Sequence, residues 1–145
     1  MKVADIVIDV VEREVPNVRI HDHRGSMGGK ITNGVLRLRT DAEIEGHATV
    51  GDRSGNNGPL LQRIIDDLKP RVVGMDVAER EMLWSELEKL GGHGAPLHAA
   101  WSCVDAALWD AAGKAAEMPV HQMLGTARYE IPVYATYPPR HGKPE

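Results

Sequence analysis

The fold is decided by the stretch Trp101-Ser-Cys-Val-Asp-Ala-Ala-Leu-Trp-Asp-Ala-Ala-Gly-Lys114. It lies within a segment, 96–116, that we predict to be one helix, because its first residue is a proline and proline is favoured in the first helical turn. The alanine and glycine residues of this helix allow close backbone approach. We expect Trp101, Leu108 and Trp109 to fill the core between the helix and a sheet.

Two polar features interrupt the apolar stripe of this helix. Asp105 lies four residues from both Trp101 and Trp109, so the three side chains share one stripe. Such a carboxylate suggests catalysis, but buried carboxylates more often accept backbone N–H bonds and fix a neighbouring loop. We favour that structural role. Asp110 and Lys114 are also four residues apart and are predicted to form a surface ion pair.

The first fifty residues are predicted to form three strands. Lys2 to Val15 is rich in Val and Ile and is predicted to end at Pro16, because proline has no N–H for a sheet ladder. Gly34 to Thr40 and Ile44 to Val50 are the second and third strands, joined by a short turn. Asn17 to Asn33 is predicted to be a long loop, and long ordered loops are often functional. Short links between strands indicate an antiparallel meander.

The period then changes to that of helices. Apolar residues recur at helical spacing over 59–69, and Pro70 is predicted to lie beyond the end of that helix. Asp76 and Glu79 resemble a capping box that opens a second helix, to about Leu90. A short helix from Pro119 to Gly125 follows the long one. A sheet followed by three to four helices gives an α+β fold.

Composition excludes several classes of protein. The chain has 145 residues, 42% of them hydrophobic and 26% charged, which is typical of a globular domain. A net charge of −4 gives no reason to expect nucleic acid or an anionic membrane as a partner. Cys103 is the single cysteine, so an internal disulfide is excluded and a reducing compartment is favoured. With no apolar stretch near the length of a membrane span, we expect a cytoplasmic protein.

The order of elements resembles the N-terminal capping domain of the enolase superfamily, in its mandelate racemase and muconate lactonizing enzyme branch. The matching stretches are Gly34 to Gly46, Leu68 to Asp76, Leu83 to Leu87, Val104 to Lys114 with Pro119 to Gly125, and Ile131 to Thr136. Two departures stand out. The turn Asp41-Ala-Glu43 lacks the family's glycine, and Gly46-His-Ala-Thr49 replaces its usual Gly-aromatic-Gly-Glu stretch.

The resemblance implies a cap at 1–127 and the start of a (β/α) barrel at 128–145, with Ile131 to Thr136 as its first strand. In the family the barrel carries the chemistry: a base removes the proton next to a carboxylate, and Mg²⁺ stabilises the resulting enediolate. The base and the three metal-binding carboxylates sit on later strands. We therefore predict no catalytic residue and no metal ligand in this chain.

The resemblance also implies two substrate lids. In the family the loop after the first strand closes over the barrel mouth, which here gives Pro16 to Asn33 and the candidates His21, His23, Arg24 and Met27. Arg24 is suited to a substrate carboxylate or hydroxyls. The second loop offers Asp52, Arg53 and Ser54. The alternatives are structural: His21 and His23 as a solvated pair rather than metal ligands, and the second loop as an ordinary polar turn.

Three hypotheses follow for function. The first is a cap without its barrel, inactive alone, from a Mg²⁺-dependent racemase, epimerase or dehydratase of hydroxy or sugar acids. The second is half of a split enzyme. The third is a stand-alone binding module. An unpaired apolar strand at Ile131 to Thr136 favours association, so we expect self-association.

Overall fold

The computed structural model describes residues 1–21, 25–51, 57–89 and 95–134. Within these ranges three strands form one antiparallel sheet: β1 (Val3–His21), β2 (Gly25–Thr40) and β3 (Glu45–Val50). They are ordered β1-β2-β3. Helices follow the sheet in the chain and cover one of its faces, so the predicted α+β fold with an antiparallel meander is confirmed.

The predicted end of the first strand at Pro16 is wrong. β1 continues through Pro16 to His21, and the pairing with β2 shifts register between Val15 and Val18. β1 is an edge strand of the sheet, and a proline is tolerated at a bulge on such a strand because the ladder is already interrupted there. The predicted loop from Asn17 to Asn33 is consequently most of a long hairpin.

The turn between β2 and β3 is held by Thr40. Its Oγ1 donates to the Ile44 carbonyl oxygen at 2.8 Å and accepts from the Ile44 N–H at 3.2 Å. Glu43 has a φ of +61°, in the left-handed region that glycine enters without cost. The missing family glycine is therefore replaced by a strained glutamate in a tight turn.

The first helical segment is longer than predicted. It comprises α1 (Gly58–Arg63), a π-helical turn (Ile64–Leu68) and α2 (Lys69–Val72). Pro70 lies inside this segment, contrary to the prediction. The Lys69 N–H bonds back to the Ile64 carbonyl across the wider π turn. Helices accommodate proline where the hydrogen-bond ladder is already irregular.

The predicted capping box is present but precedes its helix. The Asp76 side chain accepts from the Ala78 N–H at 2.9 Å, and the Glu79 side chain accepts from the Asp76 N–H at 3.2 Å. The helix α3 (Arg80–Lys89) begins one residue after Glu79. α4 (Ala95–Ala115) and α5 (Val120–Met123) match the predicted third and fourth helices within two residues at the ends that the structure describes.

The core lies between the sheet and the helices. Its most deeply buried members come from β1, β2, β3, the first helical segment, α3 and α4: Val3, Ile6, Leu36, Leu38, Val50, Ile64, Leu68, Val72, Leu83 and Val104. α4 approaches β3 so closely that a Cβ at Gly46 would overlap the Ala107 carbonyl oxygen. The alanine residues of the stretch Trp101–Lys114 thus allow the close backbone approach that we predict from the sequence.

Two predictions for α4 need correction. Trp101 and Leu108 are buried as expected, but Trp109 is only partly buried and lies under the Arg80 guanidinium, 3.9 Å from the ring centroid. Asp105 accepts no backbone N–H bond among the described residues. It lines a groove beside Arg80 and Glu81 instead. The expected ion pair of Asp110 with Lys114 is present at 2.6 Å.

The C-terminal part of the described chain leaves the core. Residues 129–134 are exposed and 131–134 form no strand, with Val133 86% and Tyr134 90% exposed. The predicted strand from Ile131 therefore has no ladder as far as Tyr134, and residues 135 and 136 lie outside the described ranges. A strand needs a partner for its N–H and C=O groups.

Candidate functional site

Both predicted lid segments lie at the same end of the sheet. β1 and β3 run in the same direction because each is antiparallel to β2. The C-terminal ends of β1 and β3 therefore lie at the same end of the sheet. Residues 22–24, which follow β1, and residues 52–56, which follow β3, lie outside the described ranges.

The β1–β2 hairpin extends far beyond β3. β3 ends at Val50, which pairs with Gly34, while β1 and β2 stay paired from Val11 and Asn33 to His21 and Gly25. At about 3.3 Å per residue this two-stranded arm is roughly 30 Å long. The arm projects past the core at the end of the sheet where β1 and β3 end.

The arm exposes apolar and charged side chains together. Val10 and Val11 are neighbours on opposite faces, and both are exposed. Lys30 pairs with Glu12 across the strands at 2.9 Å, and its ammonium group lowers the pKa of Glu12. Ile31 and Thr32 of this ribbon are buried while Val11, Glu12 and Lys30 are exposed, and a two-stranded ribbon is only marginally stable alone. This arm suits a segment that packs against another surface.

Asn57 fastens the second lid segment to the base of the arm. Its Nδ2 donates to the Thr32 carbonyl oxygen at 2.9 Å and to Asn33 Oδ1 at 3.0 Å, and its backbone N–H donates to the same carbonyl at 3.3 Å. Its own carbonyl accepts the N–H groups of Leu60 and Leu61, which begin α1. One residue thus joins the loop, the arm and the helix.

Gly51 completes this junction from the other end of the loop. Its φ is +100°, and a Cβ there would lie 2.6 Å from Asn57 Nδ2 and 2.9 Å from Asn33 Oδ1. Only glycine fits both the backbone and the space. The loop 52–56 therefore begins and ends against the same two asparagine side chains. We name the set Asn33, Gly51 and Asn57 the lid junction.

The predicted site residues lie on both lid segments. His21 and Met27 are on the strands that flank the first gap, and their side chains are outside the described part of the structure. His23, Arg24, Asp52, Arg53 and Ser54 lie outside the described residues altogether. The lid junction is not predicted from the sequence. Its one local signal is the Gly-Asn-Asn-Gly run at 55–58, and polar turns of that kind are common.

A charged cluster holds α4 on the back of β3. Asp110 accepts the His47 N–H at 2.7 Å and the Lys114 ammonium at 2.6 Å. Burial alone would raise the pKa of Asp110, but the Lys114 and His47 hydrogen bonds outweigh it and lower the pKa. Lys114 also donates to the Glu45 carbonyl oxygen at 2.8 Å. This cluster orients the helix.

Two kinds of feature are absent from the described residues, a metal-binding cluster and a membrane-spanning helix. In the ranges given above, no three His, Cys, Asp or Glu side chains converge as ligands for an ion. In the same ranges, no helix combines the length and apolar composition that a membrane crossing requires.

Residues 6–125 match the family model described as mandelate racemase / muconate lactonizing enzyme, N-terminal domain. The chain belongs to this family. The match begins in β1 and ends just after α5, so it covers the arm, the lid junction and all the helices.

Known members of the family place this cap in larger proteins. A D-galactonate dehydratase family member of Oceanicola granulosus is 34% identical over 114 residues, which are 74% of this chain and 27% of that protein. An enolase superfamily member from Polaromonas sp. JS666 superposes with a TM-score of 0.82 at 30% identity, over 99% of this chain and 38% of that one.

A D-glucarate dehydratase from Agrobacterium tumefaciens, solved in complex with magnesium, superposes with a TM-score of 0.68 at 25% identity. The superposition covers 88% of this cap and 33% of that chain. This cap spans about a quarter of the length of the curated relative and about a third of the two solved chains.

Proposed function

We propose that the chain acts as the substrate lid of a Mg²⁺-dependent enzyme that removes the α-proton of a hydroxy or sugar acid. The dehydratases among its relatives favour dehydration over racemization or epimerization. In this proposal residues 1–127 are the cap and 128–145 lead into a (β/α) barrel. The chain alone is inactive, and a cytoplasmic location remains part of the proposal.

The observation that supports this role is the convergence of two lid segments at one end of the sheet. The arm and the loop 52–56 share the lid junction, so a displacement of one is transmitted to the other through the Asn57 side chain. A lid that closes over a site must exclude water and bring contacts from several directions at once. Two joined segments meet this requirement better than two independent loops.

The side chains on the lid segments suit an acid substrate. Arg24 and Arg53 are proposed to pair with the carboxylate or hydroxyl groups, since guanidinium groups bind carboxylates through two parallel hydrogen bonds. His21, His23 and Ser54 are proposed to bond hydroxyl groups, and Met27 to cover the apolar side of the carbon chain. The lid thereby orients the substrate.

Magnesium belongs to the barrel in this proposal. The ion would stabilise the negative charge that develops on the substrate carboxylate when the α-proton leaves. The described residues of the cap offer no cluster for it. The cap is therefore proposed to act on substrate binding without touching the metal.

A domain exchange tests the proposal. Residues 1–127 replace the corresponding cap of the Oceanicola granulosus relative, and dehydration of D-galactonate and other aldonates is followed with Mg²⁺ present. We expect activity from the chimera and none from the 145-residue chain. Activity of the 145-residue chain alone, or a folded chimera that turns over no aldonate while the parent does, would contradict the proposal.

A second candidate is a stand-alone module that associates with itself. It is favoured by the exposed segment 129–134, in which Tyr129, Ile131, Val133 and Tyr134 face solvent. Apolar chain of this kind is a known cause of association. The domain exchange separates the candidates, because a stand-alone module gives no reason for an active chimera. In the split-enzyme version of the first candidate, a separate barrel chain added in trans restores activity.

A further inference from the structure

An open groove of about 440 Å³ lies between α3 and α4. Its lining comes from one face of each helix: Arg80, Glu81 and Trp84 of α3, and His98, Trp101, Ser102 and Asp105 of α4. We propose that this groove binds the guanidinium group of an arginine presented by a partner polypeptide. The proposal is independent of the lid function.

Aromatic rings form the wall of the groove. The Trp84 and Trp101 rings are 6.4 Å apart at an interplanar angle of 40°, and Trp84 and His98 are 5.7 Å apart at 57°. Trp101 is 4% exposed and rigidly packed, while Trp84 is 37% exposed and offers its ring to a ligand. A cation gains most from the face of tryptophan within about 6 Å of the ring centroid.

Two carboxylates stand beside these rings without ion-pair partners among the described residues. Asp105 is partly buried, and burial raises its pKa, an effect that Arg80 opposes and Glu81 reinforces. A half-buried carboxylate with no partner is unfavourable, and a cation placed between Asp105 and Glu81 would relieve it. Together with Arg80 the two acids give the groove a formal charge of −1.

Arg80 does not neutralise the carboxylates because it is held elsewhere. Its Nη1 donates to the Val77 carbonyl oxygen at 2.8 Å, and its guanidinium lies 3.9 Å over the Trp109 ring. Neither Asp105 nor Glu81 lies within ion-pair distance of it. The Arg80 guanidinium therefore already lies on the face of Trp109. Among the described residues, no cation lies over the Trp84 ring or within ion-pair distance of Asp105 and Glu81.

Guanidinium fits this groove better than ammonium does. It is planar, so it can stack on the Trp84 ring while its edge donates two bonds to a carboxylate, and it loses less hydration than an ammonium group. The groove is open to the surface, so a side chain presented by a partner polypeptide can enter it.

The test is a titration of the full chain followed by NMR of the tryptophan indole N–H groups. The probe is the blocked tripeptide acetyl-Gly-Arg-Gly-amide, and its citrulline counterpart is the neutral control. We expect saturable shifts of the Trp84 and Trp101 signals with the arginine peptide and binding about tenfold weaker or more with citrulline. Equal binding of the two peptides, or no shift, would overturn the proposal.

Substitutions locate the site. Asp105→Asn and Glu81→Gln should each weaken the arginine peptide about tenfold, whereas Asp66→Asn, on the exposed face of the π turn, should change nothing. Circular dichroism confirms that each variant is folded. If Asp66→Asn weakens binding as much as the groove variants, the attraction is general and the proposal fails. Tighter binding of free arginine than of the blocked peptide would contradict a polypeptide as the partner.

Discussion

Gly46 shows how a single residue sets the distance between helix and sheet. A Cβ there would overlap the Ala107 carbonyl oxygen and lie 3.0 Å from the Ala111 Cβ. Backbone of α4 cannot move aside without disturbing the core. We expect Gly46→Ala to lower the free energy of unfolding by about 3 kcal/mol or more, measured by urea denaturation.

Gly34→Ala is the matched control for this prediction. The added Cβ would lie too close only to side chains, those of Ile8 and Leu61 at 2.7 and 2.8 Å, which can change rotamer, while the Asp9 carbonyl oxygen at 3.7 Å is an ordinary contact. A smaller loss of stability is expected than at Gly46. If Gly34→Ala costs as much as Gly46→Ala, the close approach of α4 is not what fixes the sheet.

Asp105 gives a prediction in the direction opposite to the usual one for an acid. Burial raises its pKa above the ordinary 3.8, so the folded state prefers the protonated form. That preference stabilises the fold below 3.8 and is lost as the pH rises through the folded pKa. At pH 7 the charged group is a cost, reduced by solvent to less than about 1 kcal/mol.

Asp105→Asn should therefore raise the melting temperature at pH 7 and leave it unchanged or lower below pH 3. Arg80, Glu81 and His98 line the same groove as Asp105. The melting temperatures of Asp105→Asn are therefore compared with those of Glu81→Gln, which removes a neighbouring charge. Differential scanning calorimetry across pH measures the effect. A large loss of stability at pH 7 would instead support the structural role that we predicted from the sequence alone.

At the scale of elements, the lid junction couples a loop to the arm. Asn57→Ala removes two side-chain hydrogen bonds, each worth about 1 kcal/mol, while the backbone bond to Thr32 remains. We expect faster amide hydrogen exchange at residues 29–34 and 57–61, with little change in α4. Gln62→Ala is the control, because the Gln62 amide bonds only to Asp66 on the exposed side of the helix. Equal exchange in both variants would show that the junction does not couple the segments.

Elements with a strong period could be predicted from the sequence, and those interrupted by proline could not. The predicted limits of α4 agree with the structure within one residue, and Trp101 and Leu108 are buried as predicted although Trp109 is only partly buried; the turn after β2 was correctly placed. Pro16 and Pro70 predict the ends of elements, yet both lie inside elements, one at a bulge and one just after a π turn. Tertiary pairing compensates for the N–H groups that these prolines lack, and that pairing cannot be predicted from the local sequence.

The lid junction illustrates the same limit for the site. The assignment of the two lid segments comes from the family resemblance and stays a prediction. Their connection depends on the long pairing of β1 with β2, which brings Asn33 to Asn57 across 24 residues of chain. No local pattern announces that contact. Asp105, in contrast, was placed on the correct stripe, but its neighbours come from α3 and could not be foreseen.

At the scale of the whole molecule, one prediction concerns the exposed segment 129–134. We expect the chain to self-associate through it, because four large apolar or aromatic side chains have no cover. The double substitution Ile131→Asp and Val133→Asp should give a monomer in sedimentation velocity. Val10→Asp with Val11→Asp on the arm is the control and should leave the association unchanged. The reverse result would place the contact on the arm.

We propose that this chain is a cap whose two lid segments contact an acid substrate. The most direct measurement is kcat/KM for an aldonate in the domain-exchange chimera carrying Arg24→Gln, compared with Arg71→Gln on the exposed side of α2. We predict a loss of about tenfold or more for Arg24→Gln, unchanged Mg²⁺ dependence, and full activity for Arg71→Gln. An active chimera in which both variants behave alike would contradict the claim.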